Sequence, residues 1–370
     1  MERKQRVLYI SAFDHPGAGN RVLLNWLNWL DKNGFGVYVA CPNRGWLGKK
    51  LSALGGAVVL NSDFQIPNMK TALKNLIAIL ILCMFIVRHR IDIVHCNSDQ
   101  AYYMACLAAK ITGRPIVTHL RFHYTEQYYA WMFAKWRRPQ MIIMVSEAFR
   151  AEEQGKLERA APGVPIKVLH NCIDPDDYDP IPTDQNRTSN KIFYPAVVAE
   201  RKRQHQLYKI DKILRKHGTP SEFVAAGRVN EPDYWRKCLA EAEENPGNRV
   251  FFIGHIDNVT DGYHAAFLSI SLSIYETFGY SVLESMAMGV PVVGYQVNAV
   301  EEVLGSSETL VPQDDVIELS RKIIELRNNQ AYWQKLSHDV RQRVVMFFSP
   351  SYICPVLFDY YDEVTKAESD

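Results

Sequence analysis

Residues 272–303, L-S-I-Y-E-T-F-G-Y-S-V-L-E-S-M-A-M-G-V-P-V-V-G-Y-Q-V-N-A-V-E-E-V, leave few folds open. An apolar run ends in the carboxylate of Glu276, turns through Phe278 and Gly279, and continues with Val282, Leu283, Met286 and Ala287 at helical spacing. Gly289, Val290 and Pro291 stop that helix and open a new strand at Val292. Such strand-loop-helix units build open α/β sheets, which bind ligands in the crevice beyond the carboxyl ends of their strands. Glu276 falls at that edge, and Glu284 lies one to two turns into the helix. The backbone N–H groups of Tyr280, Ser281 and Val282 sit at the helix start, where unsatisfied donors and the helix dipole favour an anion. A ligand with phosphate, and with hydroxyls for the carboxylates, suits this arrangement. The plainer alternative is a buried strand and helix of another Rossmann-like domain, with Glu284 a surface charge.

At 370 residues the chain is too long for one core and suits two domains. Apolar strands are legible at 7–12, 37–40, 91–96, 115–121 and 141–146, with helix-period segments at 22–30 and 101–111 between them. A second series starts at 191–199 and continues through 223–228 and 249–254 into the central stretch, so a second parallel sheet is expected. The first domain is therefore set at 1–174, a polar, proline-rich linker at 175–190, and the second domain at 191–351. The linker begins with the acid-x-acid spelling Asp174-Pro-Asp176, a pattern that can hold a metal; here it is read as linker charge.

The loop after the first strand carries Asp14, His15, Gly17 and Gly19. Val22 stands where a dinucleotide fingerprint has its third glycine, and the second strand ends in Cys41-Pro42 with no acid for a ribose, which counts against a nicotinamide enzyme. His95 and Asn97 end one strand, and His119 and Arg121 end another, all at one sheet edge. Several convergent polar groups there point to a site, although a single histidine would be structural.

The central stretch resembles the donor-site motif of the retaining GT-B glycosyltransferases of family 4 (group 1): Glu276 and Glu284 with seven residues between them, Phe278-Gly279 among these, and the A-M-G-V-P-V-V tail behind. The resemblance runs over about 7–361. It implies an α/β GT-B fold, two Rossmann-like doubly wound parallel-sheet domains facing across a cleft, with a C-terminal helix at about 352–370 crossing back to the first. It implies transfer of a sugar from a UDP- or GDP-sugar to a hydroxyl acceptor with retention, without cofactor or metal. Glu284 then takes the ribose hydroxyls. The amides of Ser281 and Val282, beside Tyr280, join Lys202 and Arg201 on the diphosphate, and Glu276 with the Phe278 and Gly279 amides takes the sugar. His119, with His123 as competitor, orients the sugar. His119, Glu276 and Lys202 form the catalytic set. Gly17, Gly19, Asp14 and Arg121 fall on the acceptor side. If the reaction inverted, Asp14 or His15 would be the base.

Three departures from the family pattern stand out. Cys172 replaces glycine in His170-Asn-Cys-Ile-Asp174, Asn298-Ala299 replaces a glycine pair, and the basic loop 200–205 is short, with Arg201 standing in for an upstream arginine. An epimerase of the same shape and a silent sugar-binding scaffold are therefore kept as alternatives.

Up to Asp174 the chain holds 22 Lys and Arg against 12 Asp and Glu, leaving 20 against 29 for the remainder. A basic first half and an acidic second suggest that only the first meets an anionic partner. Residues 123–139, H-Y-T-E-Q-Y-Y-A-W-M-F-A-K-W-R-R-P, mix rings with Lys135, Arg137 and Arg138. The segment fits either helix packing or an anionic membrane interface that presents a lipid-linked glycan; nothing in it resembles a nucleic-acid module. The apolar run 76–87 is too short to span a bilayer and is read as a core helix, with an interfacial helix as the alternative. Seven cysteines without metal-binding spacing read as reduced core residues, so the expected setting is cytoplasmic, at the inner membrane face. Oligomeric state is left open.

Overall fold

The computed structural model describes residues 5–42, 45–54, 57–62, 64, 72–180 and 189–366, and the chain divides into two compact units. One is Met1–Cys172 with Pro350–Asp370, the other Ile173–Ser349. Half of the expected linker 175–190, residues 181–188, lies outside the described residues.

The first unit holds seven parallel strands: β1 Val7–Ile10, β2 Val37–Cys41, β3 Ala57–Asn61, β4 Ile93–Cys96, β5 Ile116–Leu120, β6 Met141–Met144 and β7 Ile166–Val168. Their order is β3-β2-β1-β4-β5-β6-β7. Helices cover both faces of such a sheet, which is why β1, β4, β5 and β6 read as unbroken apolar runs and are buried throughout. The order reverses between β1 and β4, so the loops after these two strands diverge and leave a crevice.

The second unit repeats the plan with β8 Lys191–Pro195, β9 Glu222–Ala226, β10 Val250–Gly254, β11 Leu268–Ser271, β12 Val292–Tyr295 and β13 Leu310–Val311, ordered β10-β9-β8-β11-β12-β13. Its core gathers Ile192, Ile210, Leu268, Val293, Ile323 and Trp333. The Trp333 indole N–H is satisfied by the Phe267 carbonyl at 2.9 Å. β12 approaches β11 so closely that a Cβ on Gly294 would stand 2.3 Å from the Ser271 carbonyl oxygen. The reversal here lies between β8 and β11.

The last helix, Pro350–Lys366, belongs to the first unit although 177 residues of the other separate it from Cys172. Phe358 packs on Phe35 with centroids 4.9 Å apart. Tyr360 donates to the Val168 carbonyl at 2.7 Å, Lys167 pairs with Glu363 at 3.0 Å, and the Tyr361 hydroxyl meets His95 Nδ1 at 2.6 Å.

One expectation is corrected. The apolar run 76–87 lies in the helix Ala72–Arg88, but only one face of it is core: Asn75, Ile79, Leu82 and Ile86 are buried, whereas Leu76, Ile77, Leu80, Met84 and Val87 are exposed. From Leu76 to Val87 the helix is apolar all round, and the helix Tyr102–Ile111 covers one side of it.

Candidate functional site

The loops after β8 and β11 bring together the charges that the sequence motif predicted. Lys202, 9% exposed, donates its ammonium to Glu276 Oε1. Ser273 Oγ donates to the same oxygen at 2.8 Å, and Arg201 Nη1 stands 4.0 Å from it. Burial alone would push the Glu276 carboxyl up; the charge and hydrogen bond of Lys202, with Arg201 and Ser273 behind them, outweigh it and hold the group below the usual carboxylate range. The two loops are stitched by the Ile274 amide on the Arg201 carbonyl at 3.0 Å, and the Arg201 guanidinium lies over the Tyr275 ring at 5.4 Å. Tyr194, on β8, donates its hydroxyl to the Lys202 carbonyl. Sequence reasoning missed Ser273 and Tyr194. Ser273 had a signal, lying three residues before Glu276; Tyr194 inside an apolar strand had none.

The helix that follows, Tyr280–Ala287, starts from Gly279 in the left-handed region at φ 90°. A residue with a side chain would be strained there. Phe278 is buried, its ring 6.0 Å from Phe348, so its side chain is part of the packing and only its backbone is available to a ligand. The Val282 amide donates to the Gly279 carbonyl at 3.0 Å, so it closes the turn; of the two amides expected on the diphosphate, Ser281 is the one carried forward. Tyr263 donates to the Ser281 carbonyl at 2.7 Å, which fixes the first turn from behind. Glu284 is buried on the second turn. Asn298 opens the helix Asn298–Leu304 with ordinary backbone angles, so no glycine-like conformation is required where the family pattern has glycines.

In the first unit, Arg121 forms the node at the strand ends. Its two terminal nitrogens donate to Asn171 Oδ1 at 2.6 Å and Asn97 Oδ1 at 2.7 Å, and Asn97 Nδ2 reaches the Gly19 carbonyl at 3.3 Å. A Cβ on Gly19 would lie 3.1 Å from Arg121 Cδ, so this glycine makes room for the arginine stem. Gly17 directly precedes the helix Ala18–Lys32. Asn20 clamps the intervening loop by donating to the carbonyls of Phe13 and His15 at 3.0 and 2.8 Å. Asn171 and Asn20 were not singled out from sequence, because their partners are remote or are backbone atoms.

Two assignments change. His119 lies inside β5, 1% exposed, its ring stacked on Trp26 at 5.5 Å and 5.7 Å from His95. Neither ring nitrogen has a hydrogen-bond partner among the described residues. Burial, with Arg121 nearby, pushes His119 well below its ordinary value and His95 down to about 3. Both rings are neutral members of the interior, and His119 does not face solvent where a sugar would dock. His123, the competitor, is held by Glu153 at 3.0 Å and Glu152 at 3.5 Å. Asp14 is also committed: one carboxylate oxygen accepts from the Gly45 amide, the other from the Gly48 amide at 2.9 Å, and its carbonyl accepts from Trp46 at 2.9 Å. Asp14 thereby anchors the start of the helix Trp46–Leu51. Asp174, read as linker charge, caps a short turn by accepting from the Asp176 amide at 3.2 Å. Among the described residues no cluster of three or more His, Cys, Asp or Glu could hold a metal ion.

Comparison with known proteins follows the same two-unit division. The family described as Glycosyltransferase Family 4 matches residues 19–177, and that described as Glycosyl transferases group 1 matches residues 179–344. EpsD of Bacillus subtilis (strain 168), which bears the name of a glycosyltransferase, is 23% identical over 99% of this chain and 99% of its own length. The lipopolysaccharide core biosynthesis mannosyltransferase LpsB of Rhizobium meliloti (strain 1021) is 36% identical over 100 residues, 25% of this chain and 28% of that one. Among solved structures, Anabaena Alr3699/HepE in complex with UDP and glucose superposes with a TM-score of 0.78 at 18% identity, covering 97% of this chain and 100% of that one. With both halves matched and the fold shared, the chain belongs to the group 1 glycosyltransferases of the family 4 type and has their GT-B fold.

Proposed function

We propose that this glycosyltransferase takes its sugar from a UDP- or GDP-linked donor and passes it, with retention, to a hydroxyl of a lipid-linked or lipopolysaccharide-type glycan at the inner face of the cytoplasmic membrane. The observation that carries the donor half is the pairing of Lys202, with Arg201 beside it, to Glu276 where the strand order reverses between β8 and β11. The Anabaena neighbour was solved with UDP and glucose, and LpsB is named for lipopolysaccharide core biosynthesis; both support the choice of substrates by analogy.

As the anomeric C–O bond breaks, negative charge grows on the departing diphosphate. Lys202, Arg201 and the Ser281 amide at the helix start meet it, which is stabilisation delivered where the transition state needs it. Glu276, kept charged by Lys202, accepts from sugar hydroxyls, and Glu284 accepts from the ribose. The incoming hydroxyl attacks from the face the phosphate leaves, and its proton passes to the departing phosphate oxygen. Asp14, whose oxygens hold a helix, is not used as a base. Two cations and an amide supply the countercharge, so the reading calls for no metal.

A thermal-shift panel of UDP- and GDP-sugars, run with and without a chelator, tests the donor site. Ligand at about 100 times its Kd adds about 2.7 kcal/mol to a folded state. For a unit of this size that raises Tm by about 5–10 °C. No shift with any nucleotide sugar overturns the donor assignment, and a shift abolished by chelator overturns the metal-free reading. An inverted anomer in the transfer product overturns retention.

A further inference from the structure

We propose that the exposed face of the helix Ala72–Arg88, with the ring-and-cation cluster beside it, lies in the interface of an anionic lipid bilayer. The inference deepens the membrane-facing acceptor reading and rests on it for its purpose, though the vesicle test below needs neither donor nor acceptor. Leu73, Leu76, Leu80, Met84 and Val87 are 53–70% exposed and recur at helical spacing along one side. A contiguous apolar face of this kind marks a surface that another phase or partner covers. The 17-residue helix is about 25 Å long, shorter than the hydrocarbon core it would have to cross. No helix among the described residues is long and apolar enough to cross a membrane. An apolar helix face of this length lies along the interface rather than through it.

What adjoins this face identifies the occupant. The helix Tyr102–Ile111 packs against it, with Cys83 Sγ 3.9 Å from the Ala108 carbonyl, and ends in Ile111, 65% exposed. The far side of that helix holds the turn Lys135–Arg137, because the Tyr102 hydroxyl donates to the Arg137 carbonyl. The Arg137 guanidinium sits 5.6–5.7 Å from the rings of Tyr103, Trp131 and Trp136, and the two tryptophans are 40% and 50% exposed. Neither helix nor the turn contains an Asp or Glu, whereas Lys74, Arg88, Lys110, Lys135 and Arg138 are all exposed. Exposed tryptophans beside a rim in which cations predominate, the nearby Glu126 being paired with Arg159 at 2.7 Å, are what an anionic leaflet attracts. A second copy of the chain is disfavoured as the cover, since a two-fold contact would set this rim against itself.

The test is co-sedimentation of the full chain with vesicles of phosphatidylcholine alone and of equal parts phosphatidylcholine and phosphatidylglycerol. Wild type is expected to bind the anionic vesicles and to be released by salt. The triple variant Leu76→Glu, Leu80→Glu, Met84→Glu changes only side chains that are half or more exposed. It is expected to keep the wild-type Tm and to bind at least about tenfold more weakly. Lys135→Glu with Arg138→Glu is expected to lose affinity for anionic vesicles alone. Arg137 is left intact because it braces the rings and donates to the Trp131 carbonyl. Triple-variant binding equal to wild type, or wild-type binding indifferent to phosphatidylglycerol, overturns the proposal. So does a wild-type dimer that the triple variant dissolves without any vesicle binding, which assigns the face to a second copy. The nucleotide-sugar Tm shift, measured on the same variants, reports separately on the donor site.

Discussion

Replacing Lys202 with methionine keeps the aliphatic stem and removes the ammonium. Two effects follow, and the structure separates them. The first is on folding. Lys202 and Glu276 are 9% and 15% exposed, so the variant leaves a nearly buried carboxylate with Ser273 at 2.8 Å and Arg201 at 4.0 Å as its remaining partners. Breaking a buried pair costs about 3–5 kcal/mol when nothing replaces the lost partner. With Ser273 and Arg201 still present the loss is about 2 kcal/mol, or about 4–8 °C in Tm for a unit of this size. This loss depends on pH. In wild type the Glu276 pKa is lowered, so its contribution to stability is full above the unfolded value near ~4.3 and is lost as pH falls through the folded value. Without Lys202 the burial that pushes the group up dominates, and the carboxylate opposes folding as pH rises above about 4.3. The Tm gap between wild type and Lys202→Met is therefore expected to be small at pH 4 and wide at pH 7, and Lys202→Met with Glu276→Gln should close it at pH 7. The second effect is on transfer. Losing one donor to the departing diphosphate is expected to lower kcat about 100- to 1,000-fold. The double variant should stay slow even where its Tm has recovered. Turnover within about threefold of wild type, or turnover restored in the double variant along with Tm, refutes a role for Lys202 on the leaving group and leaves it as the partner of Glu276 alone.

Asp14→Ala removes the acceptors for the Gly45 and Gly48 amides and is expected to lower stability by about 1–2 kcal/mol in denaturant melts, as loss of a helix cap does. Its kcat should remain within a few-fold of wild type, and a loss of three orders of magnitude would restore it as the base of an inverting reaction. His119→Phe keeps a ring against Trp26 and removes two buried nitrogens that lack partners, so stability is expected to hold or rise by about 1 kcal/mol with transfer unchanged. A folded His119→Phe protein with transfer down more than tenfold would show that the ring meets the sugar during turnover.

The two sheets could be read in advance wherever strands are buried on both faces, since runs such as Ile116-Val-Thr-His-Leu120 have no other home. The strand Ala57–Asn61 escaped notice: it is a half-exposed edge strand paired only through β2, and a short Ala-Val-Val-Leu string looks the same in many settings. At the site, Glu276, Lys202 and Arg201 were legible because motif and strand end coincide. The fate of Asp14 was not, because its partners lie 31 and 34 residues on and are backbone amides with no side-chain signature. The Val282 amide was assigned to a ligand because its partner, the Gly279 carbonyl, is set by a backbone angle that the letters F-G-Y do not specify. The letters did not show where β5 ends: His119 is still inside the strand, and Arg121, two residues on and just past Leu120, reaches the end where Asn97 and Asn171 converge. The outward face of the helix Ala72–Arg88 could not be foreseen, since an all-apolar run does not say which side finds cover.

The return of Pro350–Lys366 to the first unit bears on how the molecule is made. At a ribosomal pace of about 5–20 residues per second, the 177 residues of Ile173–Ser349 take roughly 9–35 s to emerge. Throughout that interval the nascent first unit waits with Trp29 and Phe35 lacking Phe358, and with His95 Nδ1 lacking the Tyr361 hydroxyl, until the C-terminal segment arrives. A message or protein cut short before Pro350 would thus release a chain whose second unit is complete and whose first is left sticky, a substrate for chaperones or proteolysis rather than a half-active enzyme.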